Sequence, residues 1–455
     1  MVVARSSSLR SERHDFYSKS LANVVNERVV IAMVGLPARG KSFMSKALVR
    51  YCNFLGVACK IFNAGAKRRD RGNAGADAAF FDASNKETQK LKDELAMETL
   101  DDLLAWLASE TGLICGIFDA TNTTRARRCA VAQRCAEASP PVTLIFLESI
   151  CNDPEILQNN YSMKLSNQDY LGKEAEYAFQ DFLHRVAAYE KVYEEIDDDE
   201  GASFQELTSL PMRYIQCIDA GKKLVISQVD GDSVLCKWIV QLITSIHLTP
   251  RKLSIVLAGE SINDCEGVRG GDSELSDHGM RYAKAVTEIV KQRAGDGKPA
   301  PLVLAGTLRR YEQMAEMLHE LSERMIPLKP LNELCFGSLE GLDAGLLRIS
   351  FPEEYAAREA DKLHYRYPGV GGQSYADVIM QIQPILMSIE ASRRDNIIIC
   401  DVALARVLLG YFEAKPIHEI PEIRVAPGII ELTRTHSGFT RTDVCVETGN
   451  AHEAD

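Results

Sequence analysis

The chain has 455 residues, 46% of them hydrophobic and 25% charged, with a formal net charge of -12. That length exceeds one ordinary core and favours two domains in a soluble globular protein. The acidic balance argues against a general binder of nucleic acid or of an anionic membrane, so any phosphate site has to be a local basic cluster.

At the N-terminus, Ser6-Ser7-Ser8-Leu9-Arg10-Ser11 has no apolar segment beside it, so residues 1–27 read as a disordered tail and not as a secretory signal. No apolar run approaches the length of a membrane span. The first ordered element is the β-branched run Val29–Val34, read as a strand. It enters Gly35-Leu36-Pro37-Ala38-Arg39-Gly40-Lys41-Ser42, and helix formers follow from Phe43 to about Tyr51. Strand, glycine-framed loop and helix in that order make a P-loop, a cradle for the phosphates of a nucleoside triphosphate. Gly35 and Gly40 let backbone N–H groups wrap the phosphates, and the helix N-terminus adds a favourable dipole. Lys41 can reach the β- and γ-phosphates, and Ser42 can ligate Mg²⁺.

Next come Lys67-Arg68-Arg69, a basic cluster, and the leucine-patterned stretch Thr88–Ser109, a long helix. The run Leu113–Phe118 is a second strand, and it ends at Asp119, where a P-loop protein needs a metal-side carboxylate. Thr121, Asn122, Thr123 and Thr124 with Arg125, Arg127 and Arg128 follow, reading as a phosphate-facing edge. Two arginine clusters beside one nucleotide site suggest an acceptor that already carries a phosphate. Val142–Leu147 is a third strand, Pro154–Tyr193 a helical flank or lid, and Glu195–Glu200 a solvated acidic loop. A second α/β domain starts near residues 247–251, with strands at Leu253–Leu257, Leu302–Leu304 and Ile397–Cys400. Strand–helix alternation in the first half implies a mostly parallel sheet with helices on both faces. The expected division is 1–27 tail, 28–250 first domain, 251–455 second domain. The 12 cysteines form no Cys-x-x-Cys pair and read as buried thiols in a reducing compartment, the cytoplasm.

The run Gly35–Ser42, the cluster Phe62-Asn63-Ala64-Gly65 with Arg68-Arg69, and Phe118-Asp119-Ala120-Thr121-Asn122-Thr123-Thr124-Arg125-Ala126-Arg127-Arg128 resemble the 6-phosphofructo-2-kinase/fructose-2,6-bisphosphatase family. Glu148–Pro154 and Met163-Lys164-Leu165-Ser166 extend the likeness, which covers about residue 28 to the C-terminus. The resemblance implies a P-loop kinase domain followed by a histidine-phosphatase, phosphoglycerate-mutase-like α/β domain. It implies ATP and Mg²⁺ as cofactors, fructose 6-phosphate as acceptor and its 2-hydroxyl as the phosphorylated group. Neither nucleic acid nor membrane is implied as a partner, and a homodimer is left open. Carried over by position, Lys41, Asp119 and Lys164 would act in transfer. Gly35, Leu36, Pro37, Ala38, Arg39, Gly40, Lys41, Ser42 and Asn159 would hold ATP, with Ser42 and Asp119 on the metal. Arg68, Arg69, Lys92, Thr121, Arg127, Lys164, Arg185 and Tyr189 would line the sugar-phosphate path. Ala66-Lys67 interrupts the family's Glu-Tyr, and Lys92 stands where an arginine is usual, keeping the charge without the bidentate fork.

The second half resembles the family's histidine-phosphatase domain, whose strand ends Arg-His-Gly-Glu. This chain reads Leu257-Ala258-Gly259-Glu260 there, so the phosphate-holding arginine and the nucleophile are both replaced. The second histidine falls at Asp401, a further arginine at Val268, and the proton donor survives as Glu333. With the surrounding positive charge also gone, the expectation is a phosphatase frame without turnover. The leading expectation is a one-way kinase forming fructose 2,6-bisphosphate. A different sugar-phosphate acceptor, a non-catalytic nucleotide-binding scaffold and a rewired bifunctional enzyme are the alternatives.

Overall fold

The β-branched run read as the first strand lies at the centre of a six-stranded sheet. In the computed structural model the described residues are 26–73, 85–164, 170, 174–208, 211–229, 233–247, 251–293, 299–435 and 438–446. Nearly all of the expected N-terminal tail lies outside them. The chain divides into two units, one taking in residues up to Cys52 and Val57–Thr244, the other Asn53–Gly56 and Ser245 onward.

In the first unit the strands are β1 (Arg28–Val34), β2 (Ala58–Asn63), β3 (Ile114–Asp119), β4 (Thr143–Ile150), β5 (Tyr214–Ile218) and β6 (Lys223–Ser227). Their order is β2-β3-β1-β4-β5-β6, parallel throughout except for the antiparallel edge strand β6. The helices are α1 (Lys41–Phe54), α2 (Ala64–Arg68), α3 (Lys86–Ser109), α4 (Arg125–Ala136), α5 (Pro154–Lys164), α6 (Ala175–Glu190), α7 (Asp198–Thr208) and α8 (Val234–Ser245). Leu100, Leu103 and Leu107 of α3 pack on one face of the sheet against Val30, Ala32, Val34, Ile114 and Phe118. Each such fully buried side chain contributes roughly 1.5–3 kcal/mol. A methyl at Gly116 would stand 2.7 Å from Leu103 Cδ2, so the glycine lets α3 lie close to β3. Asn85 caps α3 through the amides of Glu87 and Thr88, both at 3.2 Å. Because β3 and β4 flank β1 on opposite sides, the loops after these strands open at the switch point where α/β sheets bind ligands.

The second unit holds β7 (Lys252–Leu257), β8 (Leu302–Ala305), β9 (Arg324–Pro327), β10 (Asn396–Cys400), β11 (Ile429–Thr435) and β12 (Gly438–Val444), ordered β12-β11-β7-β10-β8-β9. The four strands β7 to β10 are parallel and the last two antiparallel. Helices α9 (Asp277–Arg293), α10 (Arg309–Met317), α11 (Tyr375–Ala391) and α12 (Val402–Phe412) belong to its cover. Val256, Val303 and Ile399 meet Tyr282, Val286, Tyr311 and Met314 in its core. No helix among the described residues is long and apolar enough to cross a membrane.

The acidic run is a correction. Glu195–Glu200 is not a solvated loop, since Asp198 starts α7 and Glu200 is buried at 6% exposure.

Candidate functional site

The loop from Gly35 to Gly40 is shaped by its neighbours on both sides. Gly35 takes a φ of +126°, and a Cβ on it would meet Ser149 O at 2.5 Å, so only glycine fits beside the end of β4. Its amide donates to Thr121 O at 2.9 Å, which ties the loop to the segment after β3. Gly40 also lies in the left-handed region, at +101°. Ser149 Oγ donates to Arg39 O and Asn160 Nδ2 to Ala38 O, the latter at 2.9 Å. Arg39 turns away from the loop, to Tyr161 Oη at 2.9 Å and Glu190 at 3.2 Å. Asn159, expected at the nucleotide, is exposed, and its neighbour Asn160 is the one that reaches the loop.

Lys41 is buried, its Nζ donating to Gly35 O at 2.7 Å and Leu36 O at 2.6 Å. The ammonium is thus held inside the loop that it would serve. Ser42 is exposed in the first turn of α1. Asp119 is buried at the end of β3, next to β1, and accepts a 2.6 Å hydrogen bond from Asn63 Nδ2. Asn63 also caps α2 by accepting from the Ala66 amide at 2.7 Å. One side chain therefore fixes both the carboxylate and the helix that carries Arg68. A hydroxyl and a carboxylate are hard oxygen donors, a set that suits Mg²⁺ completed by water and phosphate.

Three of the substrate-path residues come together. Lys92 lies 5.9 Å over the Tyr189 ring, Arg127 pairs with Asp93, and Tyr189 acts electrostatically on Arg127. Burial lowers the pKa of Arg127. Asp93 is a partner that the sequence reading missed. Arg68 is buried on α2, Arg69 follows it, and Thr121 is half-buried. Arg185, one turn before Tyr189 on α6, interacts with Tyr170. Lys164 closes α5, and its side chain lies outside the described residues.

The expected edge of three arginines is corrected. Of the three, Arg127 is the one that lies beside Tyr189 and Asp93. Arg125 is exposed and pairs with Asp197. Arg128 is fully buried, donating Nε and Nη2 to Glu200 at 2.7 and 2.6 Å and Nη1 to Asn122 O at 3.0 Å. Lys67 likewise leaves the basic cluster for Asp102 on α3, at 2.7 Å. A second buried acid also escaped the sequence reading. Glu148 accepts from Tyr193 Oη at 2.6 Å and Gln216 Nε2 at 2.8 Å, and burial raises its pKa.

In the second unit Leu257 is buried at the end of β7, and Ala258 follows it, half-buried. Val268 makes an isolated bridge to Asp343. Asp401 is the N-cap of α12, accepting from the Ala403 and Leu404 amides at 3.2 and 3.0 Å. The pocket is not stripped of positive charge, which corrects the reading above. Arg310 reaches Glu333 at 2.6 Å and Asp264 at 3.1 Å, and lies 5.0 Å from the Tyr311 ring centroid. His278 stands 3.3 Å from Glu260, which also accepts from Ser276 Oγ at 3.1 Å.

Burial first, and the Asp401 charge next, push the Glu333 carboxyl up to about 7, and burial raises Asp401 too. The folded unit thus keeps a proton that the unfolded chain loses with an ordinary carboxyl pKa of 4.5. That stabilisation is complete below the unfolded value and is lost as pH rises through the folded one. Stability of the second unit should fall between about pH 5 and 8, and Glu333→Gln should flatten the slope. Denaturant midpoints across that range check it; parallel slopes in both proteins would count against the assignment.

A family model described as 6-phosphofructo-2-kinase matches residues 17–250, and one for the histidine phosphatase superfamily, branch 1, matches residues 258–445. The 6-phosphofructo-2-kinase 1 of Saccharomyces cerevisiae is 37% identical over 85% of this chain and 48% of its own length. The 6-phosphofructo-2-kinase/fructose-2,6-bisphosphatase of Aquarana catesbeiana is 37% identical over 89% of this chain and 82% of its own. The human 6-phosphofructo-2-kinase/fructose-2,6-bisphosphatase 3 is 36% identical over 88% of this chain and 73% of its own. The chain therefore spans about half the length of the yeast relative and most of the other two. Among solved structures, the α-ribazole phosphatase from Shigella flexneri is 17% identical, with a TM-score of 0.38, over 45% of this chain and 100% of that one.

Proposed function

The chain belongs to the 6-phosphofructo-2-kinase/fructose-2,6-bisphosphatase family, and we propose that it transfers the γ-phosphoryl group of ATP to the 2-hydroxyl of fructose 6-phosphate, without a working phosphatase. One observation carries the kinase reading: Lys41 is held within the P-loop while Asp119 ends the adjacent strand. Arg127 and Lys92, gathered at Tyr189, supply the positive charge for the sugar phosphate. Asp93 keeps Arg127 oriented until that phosphate arrives.

Transfer is then mostly a matter of positioning. Lys41 spreads the charge that develops on the phosphoryl oxygens, and Lys164 would assist from the far side. Mg²⁺ held at Ser42 and Asp119 would neutralise phosphate charge. A loose transition state makes little demand on a general base, so none is assigned. In the second unit, Ala258 offers no atom that could accept a phosphoryl group. Arg310, which bonds Glu333, is already paired with the Asp264 carboxylate. The compartment proposed is the cytoplasm, in keeping with twelve cysteines of which none forms a disulfide.

Purified protein given Mg-ATP and a panel of sugar phosphates should convert fructose 6-phosphate to an acid-labile bisphosphate in preference to the others. No product at saturating substrate would refute the kinase reading, and preference for another sugar would replace the acceptor. Labelled fructose 2,6-bisphosphate should lose no phosphate above the buffer rate. Turnover abolished by Asp401→Ala or His278→Ala would mean a rewired phosphatase.

A further inference from the structure

Two cysteines seven positions apart and a third more than fifty positions further on meet on the face of the first sheet opposite α3. Cys59 of β2 and Cys115 of β3 are direct neighbours in the parallel register. Ile114, Gly116 and Phe118 point toward α3, so the alternation of the strand turns Cys115 the other way. There Cys52, in the last turns of α1, completes the group. The three sulfurs all lie within 4.8 Å of one another, and the residues are 1%, 5% and 0% exposed. None is part of a disulfide. Cys236, buried on α8, is not within that distance of all three, and no fourth histidine, cysteine or carboxylate among the described residues joins them.

The geometry suits one atom bound by three sulfurs. Sulfurs about 2.3 Å from a shared centre lie about 4.0 Å apart if it is planar and about 3.5 Å apart if it is pyramidal, so each separation has to close by about 1.3 Å at most. Charge decides which centre. The surroundings are apolar: Leu48 and Tyr51 of α1, Val57 just before β2, and Val29 and Ile31 of β1, the first of these two paired with Cys115, are all buried. Three thiolates around Cu⁺ would leave a net charge of -2 in this interior, and around Zn²⁺ -1. Both are costly without a counter-ion, and Zn²⁺ in addition wants a fourth ligand. A trivalent thiophilic centre gives a neutral product.

We propose that Cys52, Cys59 and Cys115 form a tris-thiol site for trivalent arsenic, taken up as arsenite. The exchange balances: three S–H bonds and three As–OH bonds break, three As–S bonds form, and three waters leave. Arsenic stays trivalent, so no oxidant or reductant takes part. The starting state fits this route. Contacts among the thiols push the pKa of Cys59 and Cys115 up and that of Cys52 down, so Cys52 gives up its proton first and attacks arsenic, while the other two thiols arrive protonated. Water, not a bare proton, then carries each hydrogen away. Because the sulfurs are buried, entry waits on local opening of the β2 edge, and uptake is slow and speeds up in dilute denaturant.

The test uses the full chain incubated with arsenite and then freed of excess by gel filtration. Native mass spectrometry should show one arsenic per chain, and X-ray absorption three sulfur ligands to it. In the wild-type protein, arsenite should protect Cys52, Cys59 and Cys115, and no other cysteine set, from alkylation after denaturation. Cys52→Ala, Cys59→Ala and Cys115→Ala should each lose the bound arsenic, while Cys236→Ala retains it. No retained arsenic, protection of other cysteines, or retention in folded Cys115→Ala would overturn the proposal. The protection pattern decides the matter even if a core variant fails to fold.

Discussion

Lys41→Ala is expected to lower kcat/KM for phosphoryl transfer by at least about 10³-fold, with most of the loss in kcat. The side chain is buried in the loop and held by two carbonyl oxygens at 2.6 and 2.7 Å, so its ammonium is preorganised and loses little freedom on acting. Charge that develops on the phosphoryl oxygens has no other lysine in that loop to meet it. The substitution should leave the fold standing, because Gly35 is held independently by Thr121 O and Ala38 by Asn160. Lys41→Arg is expected to fail almost as badly. A planar fork cannot replace a compact ammonium in a cradle of this size. Steady-state kinetics, paired with circular dichroism to confirm folding, measure the effect. Activity within tenfold of wild type would remove Lys41 from the transfer step.

The P-loop was legible because its chemistry is local: glycines, lysine and serine at fixed spacing between a strand and a helix. The strands β1, β3, β4, β7, β8 and β10 were legible for a similar reason, as apolar runs buried on both faces. Ala58–Asn63 was not read as a strand, and its burial pattern shows why. Four of its six residues alternate poorly, with Lys60 and Ile61 both exposed at the sheet edge. The antiparallel pair β5 and β6 was also missed, its outer strand being only five residues long and nowhere fully buried. The sites failed where meaning depends on a distant partner. Arg127 and Arg128 are adjacent, yet one faces Asp93 and the other Glu200, 72 positions away. Nothing in the local sequence separates the two. Arg310 escaped notice because only the fold brings it to Glu333 and Asp264, and the cysteine trio because a parallel register, not a spacing motif, assembles it.

That same contrast makes Arg128→Ala the substitution with the largest expected effect on stability. The guanidinium is fully buried, donates twice to a buried carboxylate and once to Asn122 O. Removing it strands Glu200 without a counter-charge, a loss of about 3–5 kcal/mol. At about 2–4 °C per kcal/mol for a unit of this size, the first unit should melt about 6–20 °C lower. Pairing it with Glu200→Leu should recover much of the loss, since a packed apolar pair replaces a lone buried charge. Catalysis should not recover with it. Asn122 sits at a φ of 44° and donates to Met33 O at 2.8 Å, while Thr121 O receives the Gly35 amide. Arg128 holds the Asn122 carbonyl between those two contacts, so its loss loosens the segment that aligns Thr121 and Arg127 with the P-loop. The double variant should therefore be nearly as stable as wild type yet bind fructose 6-phosphate more weakly, read as a raised KM. Full recovery of both stability and KM would show that Arg128 only fills the core; a stability loss under about 1 kcal/mol in the single variant would show that the pair is not the buried tie that its geometry describes.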